Sequence, residues 1–158
     1  MKVRPTRLYG FILGTTLLLA AALPLPGSGK KWAVVATGAS KLQDISLADL
    51  AKLCKGEKQS WPDGKSFTVV MPDPESPEMR SVVVKLFGVS STEIKALVNK
   101  LNASHTFIRV VENDEEVMRV VGATPGAIGF VDVYAINGSV KVLRVDGRLP
   151  FDSGYGLN

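Results

Sequence analysis

The sequence predicts an α/β domain in which helices flank a mixed β-sheet. Short apolar runs typical of buried strands alternate along the chain with segments whose apolar residues recur at helical spacing. The helical segments begin at side chains that can cap a helix, and several of them end at a glycine. Such an alternation of capped helices and short strands favours packed layers of helix and sheet.

The first part of the predicted domain contains two strands and one helix. The apolar runs 32–36 and 67–71 are predicted strands. Between them, Ser46 is a good N-cap with Asp49 in the reciprocal position, so a helix is predicted from there to a stop at Gly56. The sequence 61–64, Trp-Pro-Asp-Gly, predicts a tight turn before the second strand.

Two further helices are predicted after the second strand. Ser76 followed by Pro77 and Glu78 has the order N-cap, first-turn proline and first-turn acid, and the apolar spacing continues to Gly88. Positions 90–93, Ser-Ser-Thr-Glu, form a capping box that predicts another helix to about position 102.

The last third of the domain is predicted to return to the sheet. Positions 113–116, Asn-Asp-Glu-Glu, cap a short helix, and the sequence 124–130, Thr-Pro-Gly-Ala-Ile-Gly-Phe, is a turn that leads into a buried strand. Asn137-Gly138 predicts a type I′ hairpin, and Asp146-Gly147 predicts another turn. Residues 151–158 are predicted to form a flexible tail.

The N-terminus is typical of a secretory signal peptide covering residues 1–29. Three basic residues within the first seven positions precede an apolar run over 8–25, and small, turn-prone residues follow it. Cleavage is predicted after Gly29 or after Ala22, and the alternative is an uncleaved anchor, since the run approaches the ~20 residues that span a bilayer. A periplasmic or secreted location follows, with membrane contact only through the leader before cleavage.

Composition limits the function of residues 30–158, which contain the predicted domain at 30–150. Of the 19 Lys and Arg residues, three precede Lys30, while all 15 Asp and Glu residues follow it, which leaves 16 against 15 and a net charge of +1. Nucleic-acid binding needs clustered basic residues, so it is not predicted. Cys54 is the only cysteine in the sequence, so an intrachain disulfide is excluded. We interpret Cys54 as a buried apolar residue.

The region from about position 42 to position 143 resembles the phosphate-binding proteins of ABC transporters. The sequence 124–130, "TPGAIGF", is similar to a "TPGAIGY"-like segment of that family. The stretches "ISLADLAKLCKGEKQSWPDG", "FTVVMPDPESPEMRSVVVKLFG" and "NDEEVMRVVGATPGAIGFVDV" follow the family in order and spacing. The resemblance implies a single lobe of the type 2 periplasmic-binding-protein fold, in a short, stand-alone member of the family.

The resemblance also implies where an anion would bind. Family members carry a loop like "RSDGSGTT" after the strand that corresponds to 67–71, and its amides and hydroxyls hold the anion at a helix N-terminus. Here that place reads Pro-Asp-Pro-Glu-Ser-Pro-Glu over 72–78, where only Ser76 matches a ligand hydroxyl. The candidate anion site is therefore Ser76, Glu78 and Arg80, with an ordinary N-cap as the alternative interpretation.

Three classes of function are compatible with these features to different degrees. The first is non-enzymatic binding of a small oxyanion, such as phosphate, in the service of a transporter. The second is a protein–protein interaction module of the cell envelope, with an envelope or transporter partner or a second copy on the face that a missing lobe would cover. An enzyme is not predicted, because neither Cys54, His105 nor the acids show a catalytic, metal-binding or cofactor-binding pattern.

Overall fold

The structure, a computed structural model, describes residues 29–105 and 107–158, so the predicted signal peptide up to position 28 lies outside the described residues. The strands are β1 (Trp32–Thr37), β2 (Asp44–Ile45), β3 (Thr68–Met71), β4 (Ile108–Val110), β5 (Ala127–Asp132), β6 (Val140–Val142) and β7 (Arg144–Val145). The helices are α1 (Leu47–Cys54), α2 (Arg80–Val82), α3 (Ile94–Leu101) and α4 (Asp114–Ala123). A π-helical turn (Val83–Phe87) continues α2, and a 3₁₀ turn (Val133–Ala135) follows β5.

The central sheet has five strands in the order β4-β3-β5-β1-β6. Strand β3 pairs parallel with β4 and with β5, whereas β1 pairs antiparallel with both β5 and β6. The sheet is therefore mixed, as the sequence predicts. Strands β2 and β7 form a separate parallel pair. Within 29–105 and 107–158, no helix is long and apolar enough to cross a bilayer.

Helices cover both faces of the sheet, and the side chains of β1 divide between the two faces. Trp32, Val34 and Ala36 belong to the larger core, which also contains the buried residues of α1, α2, α3 and the π-helical turn. Ala33 and Val35 point to the smaller core under α4. Because alternate side chains of a strand point to opposite faces, a strand buried on both sides is an uninterrupted apolar run.

The predicted helix caps of α1 and α4 are confirmed. The Ser46 hydroxyl accepts the Asp49 N–H at 3.0 Å, and the hydroxyl donates in turn to the Asp49 carboxylate at 2.8 Å. The Asn113 side-chain carbonyl accepts the Glu116 N–H at 2.9 Å. Each cap supplies an acceptor for one of the N–H groups that the first turn of a helix leaves without a partner.

The predicted type I′ hairpin at Asn137-Gly138 is wrong. Strands β5 and β6 do not pair with each other, because β1 lies between them. Gly138 has no positive φ, and the Asn137 side chain instead accepts the Ser139 N–H at 3.0 Å. The two-residue hairpin geometry occurs at Asp146-Gly147, where φ is 50° and 75°.

Residues 151–158, for which the sequence predicts a flexible tail, pack on the core in the structure. Leu157 is fully buried and Tyr155 is 5% exposed. The Asn158 side-chain carbonyl accepts the Trp32 backbone N–H at 2.8 Å, which fixes the segment to the start of β1. The apolar side chains and this hydrogen bond outweigh the turn-forming composition that suggested a tail.

Candidate functional site

The three parallel strands β3, β4 and β5 end at one edge of the sheet, here called the carboxyl edge. The loop 72–79 follows β3, residues 111–113 follow β4, and the 3₁₀ turn follows β5. Strand β1 is antiparallel to β5, so the chain enters the sheet at the same edge. In open α/β sheets, ligands bind outside the carboxyl ends of the strands. The predicted anion-binding loop, 72–78, lies at this edge.

The structure shows that Ser76 does not cap a helix, contrary to the prediction. Helix α2 begins at Arg80, and its N-cap Met79 makes no side-chain capping hydrogen bond. The segment before it consists of tight turns, in which the N–H of Met79 donates to the Ser76 carbonyl at 3.2 Å and that of Arg80 to the Pro77 carbonyl at 3.4 Å. These i→i+3 bonds occupy amides that an anion would otherwise use, and Pro77 has none to offer.

Glu78 and Arg80 remain neighbours in a surface groove beside α2. The groove has a volume of about 440 Å³. Its lining residues are Pro77, Glu78, Arg80, Ser81, Val84 and Lys85. Neither Arg80 nor Lys85 forms an ion pair with another of the described residues. The Lys85 ammonium donates to the Asn158 carbonyl at 3.2 Å. Two cations and one carboxylate therefore border this groove.

Arg80 begins α2, whereas Lys85 lies in the π-helical turn that continues it. They are five positions apart, a spacing that places side chains on different faces of a regular α-helix. A π-turn closes i→i+5 hydrogen bonds and holds more residues per turn, which brings such positions towards one face. The sequence analysis found Arg80 but missed Lys85, because no residue pattern marks the π-turn.

The other helix N-terminus at the carboxyl edge is already occupied by the protein's own carboxylates. Asp114, Glu115 and Glu116 form the first turn of α4. Asp114 accepts the Lys30 ammonium at 3.2 Å and the backbone N–H of Asp132 at 3.4 Å. Acidic side chains complement the positive end of a helix dipole and would repel a free anion there. The groove beside α2 is the more favourable place for an anion.

The sequence 124–130 has a structural role at the opposite edge of the sheet. A Cβ at Gly126, where φ is +85°, would lie 2.4 Å from the Ser66 carbonyl oxygen. The Gly126 carbonyl accepts the Trp61 indole N–H at 2.8 Å, and the Trp61 ring packs edge-on against Phe67 at 5.2 Å. Trp61 thus packs beside the 61–64 turn, where the Gly64 N–H donates to the Trp61 carbonyl at 2.9 Å. The motif most similar to the family's fixes the fold here and does not contact the predicted anion site.

Two concave surfaces of about 450 and 410 Å³ meet at Trp61. Leu42, Trp61 and Pro62 line both of them. No residue pattern in the sequence indicates either surface, because their walls come from segments that are distant in the chain.

Cys54 and His105 do not form a reactive site. Cys54 is fully buried, and burial raises the pKa of its thiol well above the ordinary value. His105 is exposed, with Nδ1 3.1 Å from the Ser104 hydroxyl. Over 29–105 and 107–158 there is no group of three or more His, Cys, Asp or Glu residues arranged to hold a metal ion.

Comparison with solved structures identifies the class of this fold. An ABC-type phosphate transport receptor from Vibrio cholerae superposes with a TM-score of 0.61 and 19% identity, covering 77% of this chain and 48% of that one. PstS from Borrelia burgdorferi gives a TM-score of 0.57 and 21% identity, over 81% of this chain and 54% of that one. The chain thus shares its fold with substrate-binding proteins of phosphate ABC transporters, and it spans about half the length of these two structures.

A curated relative found by sequence similarity is also named PstS. Phosphate-binding protein PstS 2 of Streptococcus agalactiae serotype V is 30% identical over 69 residues, which are 44% of this chain and 23% of that protein. No family model matches the chain. The shared fold and this shorter similar stretch confirm the resemblance to phosphate-binding proteins of ABC transporters that was found in the sequence. The chain is well below these relatives in length.

Proposed function

We propose that this chain is an exported, non-enzymatic binding domain of the phosphate-binding-protein type, which binds a small oxyanion in the groove beside α2. The proposal is supported by the shared fold and by neighbours that are named for phosphate transport and phosphate binding. The observation that carries it is the pairing of Arg80 and Lys85 on one groove, next to the loop that follows β3.

The chemistry of the groove suits an oxyanion of one or two charges. Guanidinium and ammonium groups form charge-assisted hydrogen bonds to phosphate oxygens, and a guanidinium can offer two parallel donors. Arg80 is exposed and has no ion-pair partner among the described residues, so it need not break an ion pair to bind. Ser76 is partly buried in the turn before the groove and is not among the residues that line it, so a contact of its hydroxyl with the anion stays a prediction.

The same surroundings make the proposed binding weak. Glu78 borders the groove, and Asp73 and Glu75 are exposed on the same loop. Carboxylates near a bound phosphate repel it and so raise the free energy of the complex. Water and salt screen this repulsion in an exposed groove, but only in part. The loop also offers few amides, because Pro77 lacks an N–H and two of the next amides close turns.

A thermal-shift titration of residues 30–158 with phosphate, arsenate and sulfate tests this function. Anion binding to the folded state alone raises the melting temperature in a saturable way, by an amount equivalent to about 2.7 kcal/mol at an anion concentration of 100 Kd. The Ser76→Ala, Arg80→Ala double variant should lose the rise, while the exposed α3 variant Lys95→Ala should keep it. Chloride at equal ionic strength controls for screening. No saturable shift in the unsubstituted protein would refute the anion site.

A second candidate function is an interaction module for a basic protein partner in the envelope. The exposed loop carboxylates Asp73, Glu75 and Glu78 favour it, because they form an acidic surface at the carboxyl edge. The chain also spans only about half the length of its solved neighbours. Chemical crosslinking in envelope extracts should then recover a partner whose capture is lost when the three acids are changed to amides. A chain that crosslinks to nothing would exclude this role.

A further inference from the structure

Two exposed aromatic rings and a lysine form a cluster at one corner of the carboxyl edge, here called the aromatic corner. Tyr134 is 75% exposed and Phe151 is 61% exposed, with ring centroids 5.7 Å apart. The Lys31 ammonium lies 5.6 Å from the centre of the Phe151 ring. Large side chains exposed side by side in this way differ from scattered surface apolar residues and indicate a contact surface.

The aromatic corner lies where the chain enters the domain. The Lys31 carbonyl accepts the Val133 N–H at 2.8 Å, which fixes the entering chain beside the turn that carries Tyr134. In the sequence, the apolar run over 8–25 ends only five positions before Lys30. Five extended residues span at most roughly 17 Å, so while that run is in a membrane the corner stays close to the bilayer surface.

Cleavage of the leader would not remove the attraction to a membrane. A cut after Gly29, one of the two predicted positions, would place a new α-amino group next to Lys30 and Lys31. Three acids near the corner have partners in the protein. Asp114 pairs with Lys30 at 3.2 Å, Asp132 accepts the Tyr134 N–H at 3.2 Å, and Asp152, which follows Phe151, accepts the Leu149 N–H at 2.7 Å. Lys31 forms no ion pair within the described part of the chain, so the corner presents a cation together with aromatic rings.

From this arrangement we propose that the aromatic corner is a membrane-contact surface that rests on a bilayer containing anionic phospholipid. Tyr134 has an apolar body and a polar tip, which favours the headgroup region, and Phe151 adds apolar area beside it. A lysine next to these rings is attracted to anionic lipid. The contact is weak and reversible, because a single small apolar patch without a second anchor gives marginal binding. This inference goes beyond anion binding in the groove and does not depend on it.

Cosedimentation of residues 30–158 with vesicles tests the proposal. Both core clusters of the part of the chain that the structure describes lie within this segment. The segment should bind vesicles of phosphatidylglycerol and phosphatidylethanolamine more strongly than vesicles of phosphatidylcholine. The Tyr134→Ser, Phe151→Ser double variant should bind at least about tenfold more weakly, since each buried ring contributes an apolar transfer term. Lys31→Gln should weaken binding about fivefold.

Matched controls distinguish the aromatic corner from a general apolar surface, from the anion groove and from a dimer interface. The Val110→Ser variant removes an exposed apolar side chain elsewhere, at 45% exposure, and should bind as the unsubstituted domain does. If the Ser76→Ala, Arg80→Ala variant abolishes binding and the aromatic variant does not, the lipid phosphate occupies the groove and the proposal is wrong. It is equally wrong if the domain fails to bind, or if sedimentation velocity shows that the two rings hold a dimer and do not affect vesicle binding.

Discussion

The contact between Gly129 and helix α4 gives a sharp test of how the sheet is packed. A Cβ at position 129 would lie 2.5 Å from Val117 Cγ1, 2.8 Å from Val121 Cγ2 and 3.3 Å from Val35 Cγ2. Carbon atoms pack at about 3.5–4.0 Å, so Gly129→Ala requires α4 to move by roughly 1 Å. Both nearest neighbours are β-branched and fully buried, and their rotamers cannot easily turn away.

We expect Gly129→Ala to lower the free energy of unfolding by about 1–3 kcal/mol, the range for one extra methyl in a packed core. Urea denaturation of residues 30–158 measures this as a shift in the midpoint at unchanged m-value. The matched control is Gly138→Ala, because a Cβ there meets no atom within 4 Å and the backbone has no positive φ. That control should be neutral or stabilising by up to about 1 kcal/mol through the unfolded state.

A second variant distinguishes the clash from a general intolerance of side chains at position 129. Val117→Ala removes the methyl group that lies 2.5 Å from the added Cβ. Combined with Gly129→Ala, it should cost less than the sum of the two single changes, with a coupling of about 0.5–2 kcal/mol. If Gly129→Ala leaves stability within about 0.5 kcal/mol of the unsubstituted protein, α4 does not pack on β5 as described.

Two further predictions concern polar groups in and near the core. The Asn102 side chain accepts the backbone N–H groups of Phe107 and Ile108 at 2.9 and 2.8 Å and donates to the Ile108 carbonyl at 2.7 Å. Asn102→Ala should therefore lower the free energy of unfolding in urea by about 2–4 kcal/mol. The control Asn99→Ala, at an exposed position, should change it by less than about 0.5 kcal/mol. Burial raises the pKa of the Cys54 thiol, so the thiol should react with a thiol reagent only as fast as the domain unfolds. The unfolded chain loses the thiol proton at lower pH than the folded protein does, so the free energy of unfolding should fall as pH rises above about 9. Cys54→Ala should reduce this pH dependence. Fast labelling of the native protein would contradict the buried position of Cys54.

Much of the fold could be predicted from local sequence because its signals are local. The caps at Ser46 and Asn113 use side chains three residues from their partners, and the apolar runs of β1 and β5 are buried on both faces. The hairpin at Asn137-Gly138 was mispredicted because strand pairing depends on the whole sheet: β1 takes the place beside β5 that a hairpin would give to β6. A tight-turn dipeptide does not indicate whether a distant strand will pair in place of the neighbouring one.

The candidate site was less predictable, since its geometry depends on departures from regular structure. Ser76, Pro77 and Glu78 have the order of a helix start, yet the segment folds into successive turns and the helix begins at Arg80. Lys85 reaches the groove through a π-turn that leaves no mark in residue spacing. Binding of an anion by Ser76, Glu78 and Arg80 stays a prediction for the thermal-shift titration with phosphate.

The position of β1 between β5 and β6 has a consequence for when the domain can fold. Its partners β5 and β6 begin at Ala127 and Val140, about a hundred residues further along the chain. The first strand to be synthesised therefore waits for almost the whole domain before its hydrogen bonds can form, and such distant pairing slows folding. In a chain built in this order, the sheet cannot close on both sides of β1 until β5 and β6 have been synthesised.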